Sequence, residues 1–262
     1  MRFALITLAL LAGCASTPPK QAVTDLAPSG TLRAAINVGN AVLAARPATP
    51  GGEPTGISVD LARELGRRLG VPVQLIVFDA AGKVVDAGRT GGWDIAFVAL
   101  DPKRAAEIAQ SPPYVQIEGS YLVKNDSPLK SNDEVDRKGH RVVVGRNSAY
   151  DLYLTRELKQ AQIVRTPTSG AVVDTMLKEN YEVSAGVKQA LENDARRIPG
   201  VRLLPGRFMV INQAMASQRN KEAGARYVRE FIEEMKASGF VARAIERHQQ
   251  PSAVVAPPGD PK

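Results

Sequence analysis

Disulfide chemistry is excluded at the outset: the 262 residues contain one cysteine, Cys14. No intramolecular bridge can staple the fold, and no thiolate cluster can hold a structural metal. There are two histidines, His140 and His248, and neither has carboxylate or cysteine partners at metal-ligand spacing, so the sequence implies no metal and no cofactor. G-x-S-x-G, Walker A and G-x-G-x-x-G motifs are all missing, which removes the usual nucleophile elbow and phosphate-cradling loops. Aromatics make up 5% of the chain, and no compact basic run alternates with them. The net charge of +7 is therefore read as a solvated surface of interleaved signs, as in Arg229-Glu230 and Glu233-Glu234-Met235-Lys236, and not as a nucleic-acid footprint. No repeat of solenoid length occurs.

The chain is 44% hydrophobic, ample for a large core. Arg2 precedes an apolar run, Phe3 to Leu11, too short to span a bilayer but suited to an export signal. Leu11-Ala12-Gly13-Cys14 resembles the lipobox of bacterial lipoproteins. The expectation is a signal over residues 1–13, a lipidated Cys14, and a tether over 14–28; a plain secretory signal is the alternative, and both export the mature chain. No later apolar stretch is long enough for a membrane span, so membrane contact is expected through the lipid anchor alone.

Hydrophobic periodicity alternates strand and helix from Leu32 onwards. Strands are predicted at Leu32 to Val38, Val73 to Phe78, Ile95 to Leu100 and Val115 to Val123. Between them lie an amphipathic helix over Val59 to Leu69, stopped by Gly70, and a short helix over Lys83 to Ala87. Polar composition from Lys124 to Lys138, with a Ser131-x-x-Glu134 capping box, marks a first crossing into a second set of alternating elements. Phe208 to Ala216 is long enough to return, and helices over Lys221 to Ala237 and Phe240 to Arg247 follow. The proline-bearing segment 250–262 is expected to be disordered. Such alternation predicts α/β lobes, each a mostly parallel sheet flanked by helices. The first is discontinuous (29–123 and 214–249), the second spans 124–213, and a ligand cleft lies between them at the carboxyl ends of the strands.

The stretch from Trp93 to Tyr114, WDIAFVALDPKRAAEIAQSPPY, organises this layout. A buried strand ends at Leu100; Asp101 suits a helix N-cap and Pro102 the first helical position, so free N–H groups and a helix dipole point at the space above the strand. Arg104 places a guanidinium in that first turn, able to grip a carboxylate, although the same residues equally describe a capped surface helix. This stretch is similar to that of bacterial extracellular solute-binding proteins of family 3, receptors that feed amino-acid ABC transporters, with Arg104 at their carboxylate clamp and Glu107-Ile108-Ala109-Gln110-Ser111-Pro112-Pro113-Tyr114 following as theirs does. The resemblance runs from about Gly30 to Phe240.

It implies a two-lobed periplasmic binding protein fold of type II, a small anionic solute (organic acid or amino acid), ABC permease subunits as partners, and a periplasmic, lipid-anchored monomer. Ala99, Asp101 and Arg104 become candidate ligand contacts in the first lobe. In the second, Gly145-Arg146-Asn147-Ser148 stands where the family has its GTT turn, so Asn147 and Ser148 are candidates and Arg146 an extra cation. Ser148 with Asp151 also reads as a simple helix start. Val187 and Lys188 occupy the position where the family's amino-acid receptors carry an acid for the ligand's ammonium, and Lys188 joins the candidates. Asn40, near the end of the first strand, can reach the cleft; Asn37 and Asn40 are equally turn-forming residues, and Trp93 is read as packing. The same fold also hosts a secreted cyclohexadienyl-type dehydratase. That chemistry needs a general acid, for which Glu118 and Glu182 are the positional candidates. A sensor domain is a third possibility.

Overall fold

The structure, a computed structural model, describes residues 17–47 and 49–259. The signal and the expected lipidation at Cys14 lie outside the described residues.

The first segment departs from the expected tether. Lys20–Leu26 is a helix, α1, with Ala22 and Leu26 buried. Its partner lies far along the chain: α1 packs on a later helix, where Asp25 Oδ2 accepts a hydrogen bond from Gly224 N at 3.1 Å. Local periodicity over seven residues cannot reveal a helix held by such a distant surface.

The next elements follow the predicted alternation: β1 (Leu32–Asn37), α2 (Ile57–Leu69), β2 (Val73–Phe78), α3 (Ala81–Arg89), β3 (Ile95–Ala99) and the four-residue α4 (Pro102–Ala105). Gly70 ends α2 in the left-handed conformation, φ 69°, which lacks a penalty only for glycine. Trp93 is fully buried, its Nε1 donating to Val84 O at 2.7 Å, in keeping with a packing role.

β4 runs from Ile108 to Lys124, seven residues earlier than the predicted start at Val115. Prolines 112 and 113 cannot donate to a ladder, which is why the sequence pattern breaks there. The strand passes them through a register shift, and Ser111 Oγ accepts from Met215 N at 3.1 Å in place of a missing backbone partner.

The second half holds β5 (Arg141–Gly145), α5 (Ala149–Glu157), β6 (Gln162–Thr166), α6 (Val172–Lys178), β7 (Val183–Val187), α7 (Lys188–Arg197) and β8 (Val201–Leu203). The chain returns through β9 (Met209–Gln218) and ends with α8 (Glu222–Ala237), α9 (Phe240–Arg247) and β10 (Val254–Val255). The Ser131–Glu134 capping box forms as expected.

Strand order is β2-β1-β3-β9-β4-β7-β5-β6, with β8 and β10 also on β4. β1 pairs in parallel with β2 and β3, and β5 in parallel with β6 and β7, while β4 and β9 run antiparallel to their neighbours. Two parallel layers are thus joined by a pair of crossing strands. β4 pairs with β9 from Ile108 to Gly119 and with β7 from Gly119 to Val123. The change of lobe therefore falls near Gly119, inside a strand, a few residues before the polar stretch that the sequence suggested.

The C-terminal segment also differs from the expected disordered tail. Ala253 and Ala256 are buried, Val254–Val255 pairs with Val115 and Gln116 of β4, and Lys236 Nζ donates to Pro257 O at 2.8 Å. The short apolar run Ala253-Val254-Val255-Ala256 finds a free strand edge, an interaction that proline-rich composition conceals. No described helix is long and apolar enough to cross a membrane.

Candidate functional site

Arg104 is positioned by a very short helix whose start is fixed by its own sequence. Asp101 Oδ1 accepts from Lys103 N at 2.9 Å, and Pro102 occupies the first turn, as the cap chemistry predicts. The guanidinium is 2% exposed; Nη1 donates to Ala99 O at 2.9 Å, and Nη2 donates across the cleft to Asn147 O at 2.8 Å. Burial pulls its pKa down to about 10, against a smaller upward pull from Asp101. The group stays protonated near neutrality, a desolvated cation with two of its five donors turned to carbonyl oxygens.

Arg104 lines a cleft of about 390 Å³ bounded by both lobes. Asn37, Asn40, Ala99 and Gln213 come from the first lobe, and Ser148, Tyr150, Ser169 and Val187 from the second. Among the described residues no other charged side chain lines this cleft. Its outer side opens on a larger space of about 970 Å³ that shares Gly39 and Ser169 and adds Arg46, Asp79 and Asp194.

The second-lobe turn is more self-contained than the sequence suggests. Ser148 Oγ caps α5 by accepting from Asp151 N at 3.0 Å. Asn147 is left-handed, φ 56°, and its N donates to Asp151 Oδ2 at 2.7 Å. Asp151, 2% exposed and bonded to Arg165 Nε at 2.9 Å, is thus the anion seated at this helix start. Ser148 faces the cleft, whereas Asn147 lines a smaller space of about 290 Å³ on the other side of Arg104.

Three further expected contacts lie elsewhere. Asp101 does not line the cleft: its Oδ2 accepts from Arg156 Nη1 of α5 at 2.9 Å, which fills the carboxylate that the cap leaves half free. Arg146 is exposed, and its guanidinium has no partner among the described residues. Lys188 points behind the cleft, where Nζ donates to Glu118 Oε2 at 2.9 Å while Arg207 Nη1 donates to Oε1 at 2.6 Å. The two cations that would suit a second ligand carboxylate are therefore not in the site. Asn37 proves turn-forming, Oδ1 accepting from Gly39 N at 3.0 Å. Asn40 lines the cleft, with Oδ1 buried and unpartnered among the described residues.

The residues missed at the sequence level are Tyr150, Ser169 and Gln213. Tyr150 OH donates to Ser169 Oγ at 2.7 Å; Tyr150 stands two positions after the Ser148 cap, so the turn itself carried a signal for it. Gln213 lies opposite Ala99 across the β3–β9 pairing, a proximity no local pattern encodes.

Neither candidate acid is poised to protonate a substrate. Lys188 and Arg207 hold the Glu118 carboxyl below the usual range, and Arg141 does the same for Glu182. Among the described residues no cluster of three His, Cys, Asp or Glu is arranged to bind a metal. His140 Nδ1 lies 3.0 Å from Val135 O, and His248 Nε2 lies 2.9 Å from Asp60.

The family model of the bacterial extracellular solute-binding proteins, family 3, matches residues 41–251. No curated protein sequence matches the chain. Among solved structures, an L-cysteine solute receptor of Neisseria gonorrhoeae superposes with TM-score 0.75 at 19% identity, over 88% of this chain and 94% of that one. An arginine-bound amino-acid ABC transporter substrate-binding protein of Streptococcus pneumoniae gives 0.73 at 19%, over 87% and 98%. An ancestral amino-acid-binding protein described as a precursor of cyclohexadienyl dehydratase gives 0.71 at 20%, over 86% and 98%. These likenesses establish the two-lobed type II fold.

Proposed function

Because the chain belongs to the bacterial extracellular solute-binding proteins of family 3, we propose that it is the receptor of an ABC importer and closes its lobes over a small carboxylate-bearing solute. The observation that carries this reading is Arg104, a buried cation and, among the described residues, the one charged side chain lining the cleft. A carboxylate beside it gains a charge-assisted bond and relieves the desolvated guanidinium. Similar structures bind amino acids such as L-arginine and L-cysteine, but here Val187 lines the cleft and no carboxylate does. An ammonium group held there without a counter-charge costs on the order of several kcal/mol. The favoured solute is accordingly an organic acid rather than a free amino acid. Absence of a raised-pKa carboxyl group among the candidates speaks for binding and against a dehydratase.

A solute that binds only the closed native state raises the unfolding temperature by mass action. Thermal unfolding with a panel of small carboxylates and amino acids should show a shift for the former in the wild type and its loss in Arg104→Gln. An equal shift in the variant, or shifts for amino acids alone, would overturn the reading. The anchor is tested separately: palmitate should label the wild type and not Cys14→Ser, and equal labelling would remove the lipoprotein assignment.

A further inference from the structure

What lines the cleft besides Arg104 is neutral, and part of it is unsatisfied. Gln213 is 5% exposed, faces the cleft from β9, and its carboxamide makes no hydrogen bond among the described residues. Asn40 presents a second free carboxamide whose buried oxygen has no partner. Tyr150 OH gives its proton to Ser169 Oγ, leaving the Ser169 proton available. Of these groups Asn40 Oδ1 is buried without a partner, which costs about 1–3 kcal/mol, so the cleft favours a solute that completes it.

Their placement is ordered. Asn40 follows β1, Arg104 follows β3 and Gln213 lies on β9, and these strands are neighbours in the sheet. The two carboxamides and the guanidinium line one cleft. Each carboxamide offers donors and an acceptor without net charge. A hydroxyl group, which both gives and takes a hydrogen bond, matches that pattern. Among the described residues lining the cleft an ammonium finds no counter-anion, and a second carboxylate finds no second cation, since Lys188 is held by Glu118 and Arg146 is exposed.

We propose that the solute is a hydroxylated monocarboxylate, its carboxylate on Arg104 and its hydroxyl groups on the carboxamides of Gln213 and Asn40. This rests on the carboxylate reading above and narrows it. Sites that hydrogen-bond a substrate hydroxyl reject the analogue lacking it, because the protein's own polar groups are then left unpaired.

Calorimetric titration of the mature protein with matched acids tests it: propanoate, 2,3-dihydroxypropanoate, alanine and malonate, then hexanoate and gluconate. The expected result is at least tenfold tighter binding of the hydroxylated acid in one or both pairs, with alanine and malonate no tighter than propanoate. Gln213→Met and Asn40→Leu should each reduce the hydroxyl preference, read as the ratio of the two affinities, several-fold. Gln213→Met keeps nearly the same volume and so separates lost recognition from lost folding, which an unfolding curve checks directly. Arg104-dependent binding with no hydroxyl preference, a preference that survives both variants, or tighter binding of malonate overturns this inference alone; tighter binding of alanine overturns in addition the preference for an organic acid over a free amino acid. Failure of every carboxylate to bind, or binding indifferent to Arg104→Gln, overturns the carboxylate reading and this inference with it.

Discussion

Asp101 and Arg156 join the two lobes through a carboxylate that is 3% exposed and a guanidinium that is 44% exposed, 2.9 Å apart. The same carboxylate caps the helix that carries Arg104. One acid therefore both pairs with α5 and fixes the start of the helix that carries Arg104. Arg156 grips it from the last turn of α5, the helix whose start meets Arg104 through Asn147 O.

Removing Arg156 should loosen the closed state without disturbing either lobe. A half-exposed ion pair contributes up to about 1 kcal/mol, so Arg156→Ala should speed solute release about fivefold while the association rate changes little. Stopped-flow dissociation measures this; an unchanged release rate would mean that the pair is incidental to closure.

Gly82 of α3 meets the other lobe so closely that a Cβ there would lie 2.8 Å from Asn147 Cβ. Gly82→Val should prop the cleft open, weakening binding at least tenfold and enlarging the radius of gyration seen by small-angle scattering in the presence of solute. Unimpaired closure in that variant would show that the turn at Asn147 yields readily.

Acid should destabilise the fold in a defined window. Glu118 is held below its ordinary pKa by Lys188 and Arg207, and Glu182 by Arg141. Their stabilising effect is present above the unfolded-state value of about 4.3 and is lost as the pH falls through the lower folded-state value. Urea midpoints should accordingly drop between pH 5 and pH 3, and a Glu118→Gln/Glu182→Gln double variant, less stable at pH 7, should drop less. A parallel fall in both proteins would place the acid sensitivity elsewhere.

Asp25 of α1 bonds the N3 amide of α8, whose own N-cap residue, Lys221, offers no capping oxygen. Asp25→Ala should cost about 1 kcal/mol, the usual worth of a cap, readable as a lowered urea midpoint. No change would mean that α1 is held by Ala22 and Leu26 alone.

Elements of strong local period were legible in the sequence: β2 and α9 have the predicted ends, and Asp101, Ser131 and Ser148 cap as their neighbours suggested. Elements defined by a distant partner were not. Helix α1 depends on α8, β10 on the edge of β4, and the first residues of β4 on a serine replacing a backbone group. The site divides in the same way. Arg104 was legible from its strand-to-helix junction, while Lys188 could not be excluded from the cleft without knowing where Glu118 lies, nor Arg146 without knowing that its turn is exposed. Gln213 required the pairing of β3 with β9.

The order of strands has a further consequence for how the chain is made. Residues 141–203, carrying β5 to β8, are contiguous, so the second lobe can assemble soon after it emerges. The first lobe waits for β9, because β3, buried along its whole length, has that late strand on one edge. Until residues 209–218 arrive, an apolar strand with an open edge is a template for pairing with other chains. A nascent or truncated chain ending before β9 is thus the species in most need of a chaperone during export.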